Sequence, residues 1–118
     1  MPSFPRSFPR RGEIYLVAFN PARGSEQAGT RPAVIVSNEV NNQHSPVVVV
    51  AAMTRTIYPK QYPQNVQLPA GRPLNDAGTI LGGQLYTIDQ QRLIRHRGEL
   101  DPSQLQALNN ALRKSLQL

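Results

Sequence analysis

The sequence predicts a mainly β domain in which a small barrel or curled sheet carries one C-terminal helix. Three observations lead to this fold class. Short segments rich in β-branched and aromatic residues recur between turn signals. One helical periodicity stands out, and it lies at the C-terminus. The length of 118 residues suits a single domain with its own core. Several short strands followed by one helix are typical of small barrels and curled sheets.

Three strand patterns occupy the first half of the chain. Residues 13–19 are rich in β-formers and end at a turn signal, Asn20-Pro21. A second strand is predicted at 33–37, and the polar residues 38–45 are predicted to form a turn. The third strand, at 47–53, is apolar throughout, so we expect it in the centre of the sheet with both faces covered.

The second half contains shorter strand patterns, at residues 65–68, 78–81, 84–88 and 97–100. The first of them alternates between polar and apolar residues, as a half-buried strand does. The pair Gly82-Gly83 separates the next two and predicts a bulge, a sharp bend or a close backbone approach. One helical turn is predicted at 89–93.

The C-terminal helix has clear start signals. Asp101 is a suitable N-cap, Pro102 suits the first helical position, and Gln104 completes a variant of the capping box. The helix then carries one apolar stripe, formed by Leu105, Leu108, Leu112 and Leu116. This stripe is expected to pack on the sheet or on a partner.

Composition and charge exclude several classes of protein. The absence of Cys excludes disulfide scaffolds and thiolate chemistry, and only two His are present, so neither a metal site nor a cofactor is predicted. The longest apolar run has seven residues, whereas a membrane-spanning helix needs about 20. No secretory signal is present, so we expect a cytoplasmic protein. Thirteen basic and seven acidic residues give a net charge of +6, which favours an anionic partner.

Much of this charge lies at the N-terminus. Residues 1–11 contain Arg6, Arg10, Arg11 and no acidic residue, and three prolines interrupt them. We therefore predict a disordered basic arm at 1–11, followed by a single domain at 12–118.

The loop between the first two strands is a candidate site, because it is longer than a hairpin turn requires. Ser25, Glu26 and Gln27 offer a hydroxyl, a carboxylate and an amide, and Arg31 follows where a strand could hold it rigidly. The alternative is a solvated loop in which Arg31 forms a surface ion pair of under about 1 kcal/mol.

A second polar cluster, Thr54-Arg55-Thr56, follows the third strand. If the second and third strands are antiparallel neighbours, the start of one lies beside the end of the other. Arg31 and Thr54 would then share one rim of the sheet. The alternative is that Thr54 merely ends a strand.

Taken together, these residues resemble a known family. The stretch RRGEIYLVAFNPARGSEQAGTRPAVIVSN, followed after the turn by VVVVAAMT, resembles the MazF/PemK family of toxin–antitoxin ribonucleases. The later stretch TILGGQLYTIDQQRL is similar to the second signature of that family. The resemblance runs from about Arg11 to the C-terminal helix.

The resemblance implies an SH3-like curled barrel of the MazF/PemK/CcdB type that forms a homodimer. It implies a metal-independent, sequence-specific endoribonuclease that cleaves single-stranded RNA, including mRNA, and leaves a 2′,3′-cyclic phosphate and a 5′-hydroxyl. It also implies a cognate antitoxin with an acidic tail, which binds the toxin in a hetero-oligomer. The implied catalytic residues are Arg31, Thr54 and Glu26. The implied substrate-binding residues are Asn20, Ser25, Gln27, Arg55 and Gln84.

Physical chemistry agrees with these roles in part. Cleavage without a metal must stabilise a dianionic phosphorane, and the guanidinium of Arg31 can place two donors on it. Thr54 can hydrogen-bond a phosphate oxygen or orient the 2′-hydroxyl. Glu26 is the only carboxylate of the loop and is the available base. Many relatives carry Asp or Glu before the Gln of the second signature, where this chain has Gly83, so more weight falls on Glu26 or on positioning.

Two other functions remain open at this stage. A CcdB-like toxin shares the architecture but acts by binding a protein, and it has no chemical need for the pair Arg31 and Thr54. A small RNA-binding barrel stacks bases on exposed aromatic residues. In this chain Tyr15, Phe19 and Tyr86 lie in predicted strands, where some of them are expected to be buried in the core. A two-metal nuclease is disfavoured because the acidic residues are scattered.

Overall fold

The structure, a computed structural model, describes residues 8–19 and 29–118. Its elements in chain order are β1 (Glu13–Phe19), β2 (Gly29–Ile35), α1 (Glu39–His44), β3 (Val47–Thr54), β4 (Asn65–Leu68), β5 (Gly78–Asp89), a 3₁₀ turn (Gln90–Arg92), β6 (Leu93–Glu99) and α2 (Pro102–Leu116). The six strands form one antiparallel sheet in the order β4-β5-β3-β2-β1-β6. The predicted fold class is confirmed as a curled sheet with a C-terminal helix. Within the described ranges, no backbone ladder joins the edge strands β4 and β6, so the barrel is not closed.

Apolar side chains form a core on each face of the sheet. On the helix side, the buried members include Ile14, Val34, Met53, Ile80 and Leu108. On the other side they include Val17, Phe19, Ile35, Val50 and Ile88. The central strand β3 contributes to both cores, which confirms the prediction made from its continuous apolar sequence.

Helix α2 has the predicted start. The carboxylate of Asp101 accepts the N–H of Gln104 at 2.8 Å, and the Gln104 side chain accepts the N–H of Asp101 at 3.1 Å, which completes the capping box. Of the apolar stripe, Leu108 is fully buried, whereas Leu116 is 52% exposed. The helix therefore packs on the sheet through its first three turns.

The Asp101 cap also holds the connection between β4 and β5. Its carboxylate pairs with the guanidinium of Arg72, and the Gln104 amide donates to the Arg72 carbonyl at 3.0 Å. The hydrogen bonds from Arg72 and from the N–H of Gln104 lower the pKa of Asp101 from 3.8 to about 2. The segment 69–77 is thus tied to the start of α2.

The prediction of a turn at 38–45 was wrong, because a helix, α1, forms there. The side chain of Asn38 accepts the N–H of Asn41 at 2.8 Å and caps the helix. Asn42 is buried, and its side-chain amide donates to the carbonyl of Ser37 at 3.0 Å. These hydrogen bonds stabilise α1, which is too short and too polar to show apolar periodicity.

Three strand boundaries also differ from the predictions. Strand β2 begins at Gly29 rather than at 33, so Arg31 lies inside a strand. The two predicted strands at 78–81 and 84–88 are one strand, β5, interrupted by an irregularity. Strand β6 begins at Leu93, directly after the 3₁₀ turn predicted at 89–93, instead of at 97. In each case pairing with a neighbouring strand extends the β structure beyond the apolar pattern.

The irregularity in β5 lies at the glycine pair, as predicted. Ala51 pairs with Leu85 but Ala52 pairs with Leu81, so extra residues bulge out of β5 between them. The N–H of Gly82 donates to the carbonyl of Gln64 at 2.9 Å. A Cβ at Gly82 would lie 2.2 Å from that same oxygen, which shows that the close approach requires glycine.

Residues 8–11 of the predicted arm lie against the sheet. The Nε of Arg11 donates to the carbonyl of Val36 at 2.9 Å, and the N–H of Arg10 donates to the buried carboxylate of Glu13 at 2.5 Å. Residues 1–7 fall outside the described residues, so an arm over 1–11 followed by one domain over 12–118 stays a prediction. Over the described ranges, no helix has the length and apolar character to span a membrane.

Candidate active site

Strand pairing brings Arg31 and Thr54 to the same rim of the sheet. Strands β2 and β3 are antiparallel, and their recorded pairs include Ala33 with Ala52. Two residues further towards the rim, the same register sets Arg31 opposite Thr54. Both residues line one cavity, with Arg31 exposed and Thr54 half-buried. The prediction of a shared rim is therefore confirmed.

The cavity has a volume of about 500 Å³ and combines an apolar base with cationic walls. Leu16 and Met53 are among its apolar lining residues. Its charged lining residues are Arg31, Arg55, Arg97 and Asp76. We call this cavity the arginine cleft. Three guanidinium groups against one carboxylate give the described lining an excess of positive charge, which suits an anionic ligand such as a phosphodiester.

Arg55 and Asp76 form an ion pair at the mouth of the cleft. The Arg55 Nη2 to Asp76 Oδ2 distance is 3.3 Å, and the two side chains are 88% and 67% exposed. Exposed pairs of this kind contribute little to stability, because water screens both charges. The guanidinium of Arg55 can therefore exchange Asp76 for a phosphate at low cost.

The Thr54 hydroxyl is held by the turn that follows β3. It accepts the N–H of Thr56 at 3.2 Å, and the Thr54 and Thr56 hydroxyl oxygens lie 3.3 Å apart. The carbonyl of Thr56 in turn accepts the hydroxyl of the buried Thr79 at 2.8 Å. Since Thr79 belongs to β5, the turn is anchored to the neighbouring strand. This arrangement presents the Thr54 hydroxyl at the rim with a defined orientation.

Arg97 is a cleft residue that the sequence interpretation missed. The curl of the sheet brings β6 against the β4–β5 connection, where a Cβ at Gly98 would lie 3.6 Å from Pro73 Cβ. Arg97, the preceding residue, thereby lines the cleft together with residues of β2 and β3, although β6 is an edge strand of the sheet. It forms no ion pair with another described residue. The only sequence signal was the alternation of Arg95 and Arg97 in a short strand, which does not reveal the face that meets the cleft.

The remaining predicted site residues do not lie in the described part of the cleft. Gln84 lines a different concavity, on the far side of the bulge in β5. Glu26, the predicted base, lies outside the described residues, as do Asn20, Ser25 and Gln27. The described part of the chain resumes at Gly29, two residues before Arg31.

The two histidines lie apart from the arginine cleft. His96 Nε2 lies 3.1 Å from the buried carboxylate of Glu13, and its ring packs edge-on against Tyr15. His44 ends the helix α1. Neither histidine lines the arginine cleft. Within residues 8–19 and 29–118, no group of three or more potential metal ligands comes together.

Known proteins with similar sequences and folds exist. Residues 10–116 match the family described as PemK-like, MazF-like toxin of type II toxin–antitoxin systems. Endoribonuclease MazF of Staphylococcus saprophyticus is 38% identical over 110 residues, which cover 92% of each chain. A mycobacterial endoribonuclease solved in complex with its cognate antitoxin has a TM-score of 0.79 at 28% identity, covering 93% of this chain and 96% of that one. MazF of Deinococcus radiodurans has a TM-score of 0.80 at 25% identity, covering 96% and 100%.

Proposed function

The chain belongs to the family of PemK-like, MazF-like toxins of type II toxin–antitoxin systems, and we propose that it is a sequence-specific endoribonuclease that cleaves single-stranded RNA. The observation that carries this proposal is the juxtaposition of Arg31 and Thr54 in a cleft with two further guanidinium groups. Cleavage of mRNA by such an enzyme inhibits translation and growth.

The proposed reaction is an internal transesterification. The ribose 2′-oxygen attacks the adjacent phosphorus, and the bond from phosphorus to the 5′-oxygen of the next nucleotide breaks. A base takes the proton of the 2′-hydroxyl, and the departing 5′-oxygen gains a proton. The products are a 2′,3′-cyclic phosphate and a 5′-hydroxyl. No water is consumed in this step, and the proton that the 5′-oxygen gains from the solvent balances the proton that the base removes.

Arg31 is proposed to stabilise the charge that develops on the phosphorane. Its strand fixes the backbone, so the guanidinium can offer two donors to non-bridging oxygens without large reorganisation. The Thr54 hydroxyl is proposed to donate to a phosphate oxygen or to orient the 2′-hydroxyl. Glu26 is proposed as the base, because it is the carboxylate nearest to Arg31 in the sequence.

The other cationic residues are proposed to bind the phosphates on either side. Arg97 and Arg55 both line the cleft, although one belongs to β6 and the other follows β3. An extended RNA strand that crosses the cleft can place a phosphate near each of them. Asn20, Ser25 and Gln27 are proposed to contact the bases and ribose groups around the scissile bond, and Gln84 is proposed to contact a part of the RNA strand outside the cleft.

The proposed partners follow from the same charge pattern. A cationic cleft that binds RNA can be blocked by an acidic protein segment that presents carboxylates in place of phosphates. We propose a cognate antitoxin with such an acidic tail, bound to a homodimer of this chain. Its mRNA substrate would be met in the cytoplasm, which we propose as the site of action.

Primer extension on a long RNA of mixed sequence tests the activity. The purified protein is expected to cut at one recurring short word in the presence of EDTA, and polynucleotide kinase is expected to label the downstream fragments without prior phosphatase treatment. Random cleavage, 5′-phosphate ends, or activity that EDTA abolishes and magnesium restores would contradict the proposed reaction.

A further inference from the structure

A second concavity, of about 370 Å³, lies beside β4 and β5 and is lined by Tyr58, Tyr62, Gln64, Asn65 and Gln84. We call it the tyrosine site, and we propose that it binds a nucleobase of the RNA strand outside the arginine cleft. This inference rests on the proposed ribonuclease function and names a site for the flanking part of the substrate.

The two tyrosines offer a stacking surface. Their rings meet edge-on, with centroids 6.1 Å apart and planes at 89°. Tyr62 is 40% exposed, and no other Tyr or Phe among the described residues is exposed. By contrast, Phe19 and Tyr86 pack against each other in the core. Proteins bind single-stranded RNA by stacking bases on accessible aromatic rings of this kind.

The polar lining offers groups that complement the edges of a base. The amides of Gln64, Asn65 and Gln84 each carry donors and an acceptor, which is the combination that reads base edges. Of the residues that the structure describes, no acidic one lines the site, and Gly83 contributes only backbone to it. Lys60 places its ammonium 5.8 Å from the centre of the Tyr62 ring, and its flexible side chain can turn towards a phosphate.

Hydrogen bonds to the sheet hold the loop that carries the tyrosines. The carbonyl of Tyr58 accepts the side-chain amide of Gln67 at 3.0 Å, and the carbonyl of Tyr62 accepts the N–H of Asn65 at 3.0 Å. The carbonyl of Gln64 accepts the N–H of Gly82 in β5. The site is thus formed before RNA arrives, which reduces the entropy lost on binding.

The tyrosine site lies within reach of the same RNA strand. Tyr58 follows Thr54 by four residues, so their Cα atoms are at most about 14 Å apart. That separation corresponds to a few nucleotides of extended RNA. A strand whose scissile phosphate lies at Arg31 and Thr54 can therefore place a neighbouring base between the tyrosines and the amides of β4 and β5.

Single-turnover cleavage of RNA oligonucleotides tests this site. The oligonucleotides contain the cleaved word and carry one abasic nucleotide at successive flanking positions. Tyr62→Ala is expected to lower kcat/KM on intact RNA by about 10- to 100-fold, the scale of one lost stacking contact. Tyr62→Phe keeps the ring and is expected to recover most of that loss. Ile57→Ala, which removes an exposed side chain outside both cavities, is the matched control and is expected to keep the wild-type rate.

The abasic series identifies the base. One abasic position is expected to slow the wild-type enzyme as much as Tyr62→Ala does, and to slow the Tyr62→Ala variant no further. Equal abasic penalties in both proteins at every position would overturn the proposal. Weaker binding of an acidic antitoxin peptide by Tyr62→Ala, with RNA cleavage unchanged, would also overturn it. Absence of cleavage by the wild-type protein would instead refute the ribonuclease function itself.

Discussion

Replacing Gly82 with alanine tests the close approach between β5 and the backbone of Gln64, beside the tyrosine site. The new Cβ would lie 2.2 Å from the carbonyl oxygen of Gln64 and 3.3 Å from its carbonyl carbon, and both atoms belong to backbone that cannot rotate away. Relief of such an overlap costs about 1–3 kcal/mol. The hydrogen bond from the Gly82 N–H to the same oxygen would weaken or break, at a further cost of about 0.5–1.5 kcal/mol. We expect Gly82→Ala to lower the free energy of unfolding by about 2–4 kcal/mol.

The neighbouring glycine provides a matched control. A Cβ at Gly83 meets only side-chain atoms at ordinary contact distances, so Gly83→Ala is expected to be neutral, or stabilising by about 0.4–1 kcal/mol through the unfolded state. Urea denaturation followed by circular dichroism, with all proteins at one concentration, measures the difference between the two variants. The reasoning would be refuted if Gly82→Ala were no less stable than Gly83→Ala.

Three further predictions concern helix α2 and Glu26, the proposed catalytic base. Because Arg72 holds the pKa of Asp101 at about 2, below its value of 3.8 in the unfolded chain, the unfolded state binds more protons between these values. The free energy of unfolding should therefore decrease as the pH falls from about 4 to about 2. Thermal melts at these pH values should show a smaller decrease in the melting temperature for Asp101→Asn than for the wild-type protein. Leu108→Ala should cost about 2–5 kcal/mol and Leu116→Ala under about 1 kcal/mol, since only Leu108 is buried, and urea denaturation of both checks this. If Glu26 is the base, Glu26→Gln should slow single-turnover cleavage by about 10²–10⁴-fold and remove the acidic limb of the pH–rate profile, whereas persistence of that limb would assign it another role.

The fold could be predicted where local patterns and sheet pairing agree. The apolar segment of β3, the alternation in β4 and the cap of α2 each specify their element within the sequence itself. Helix α1 was missed because side-chain caps stabilise it rather than apolar periodicity. The continuity of β5 across its glycine pair was missed because pairing with β3 on both sides of the bulge, not local propensity, maintains the strand.

Some residues of the candidate site could be predicted from the sequence, and others could not. Arg31 and Thr54 could be brought together from the sequence because adjacent antiparallel strands fix which of their ends meet. Arg97 and the tyrosine site could not, because the curl of the sheet and the path of the loop decide which side chains reach the cavities. Such long-range geometry depends on contacts between segments far apart in sequence, such as Gly98 with Pro73.

The most direct test of the proposed mechanism is the single-turnover cleavage rate of Arg31→Ala, measured against Arg113→Ala. Both substitutions remove one exposed guanidinium, but Arg113 lies on α2, away from the cleft, and donates only to Asn110 among its described contacts. Loss of one transition-state donor is expected to slow Arg31→Ala by about 10²–10³-fold, with an unchanged fold, while Arg113→Ala stays near the wild-type rate. Wild-type cleavage by Arg31→Ala, or an equal loss in both variants, would contradict the assignment of Arg31 to the reacting phosphate.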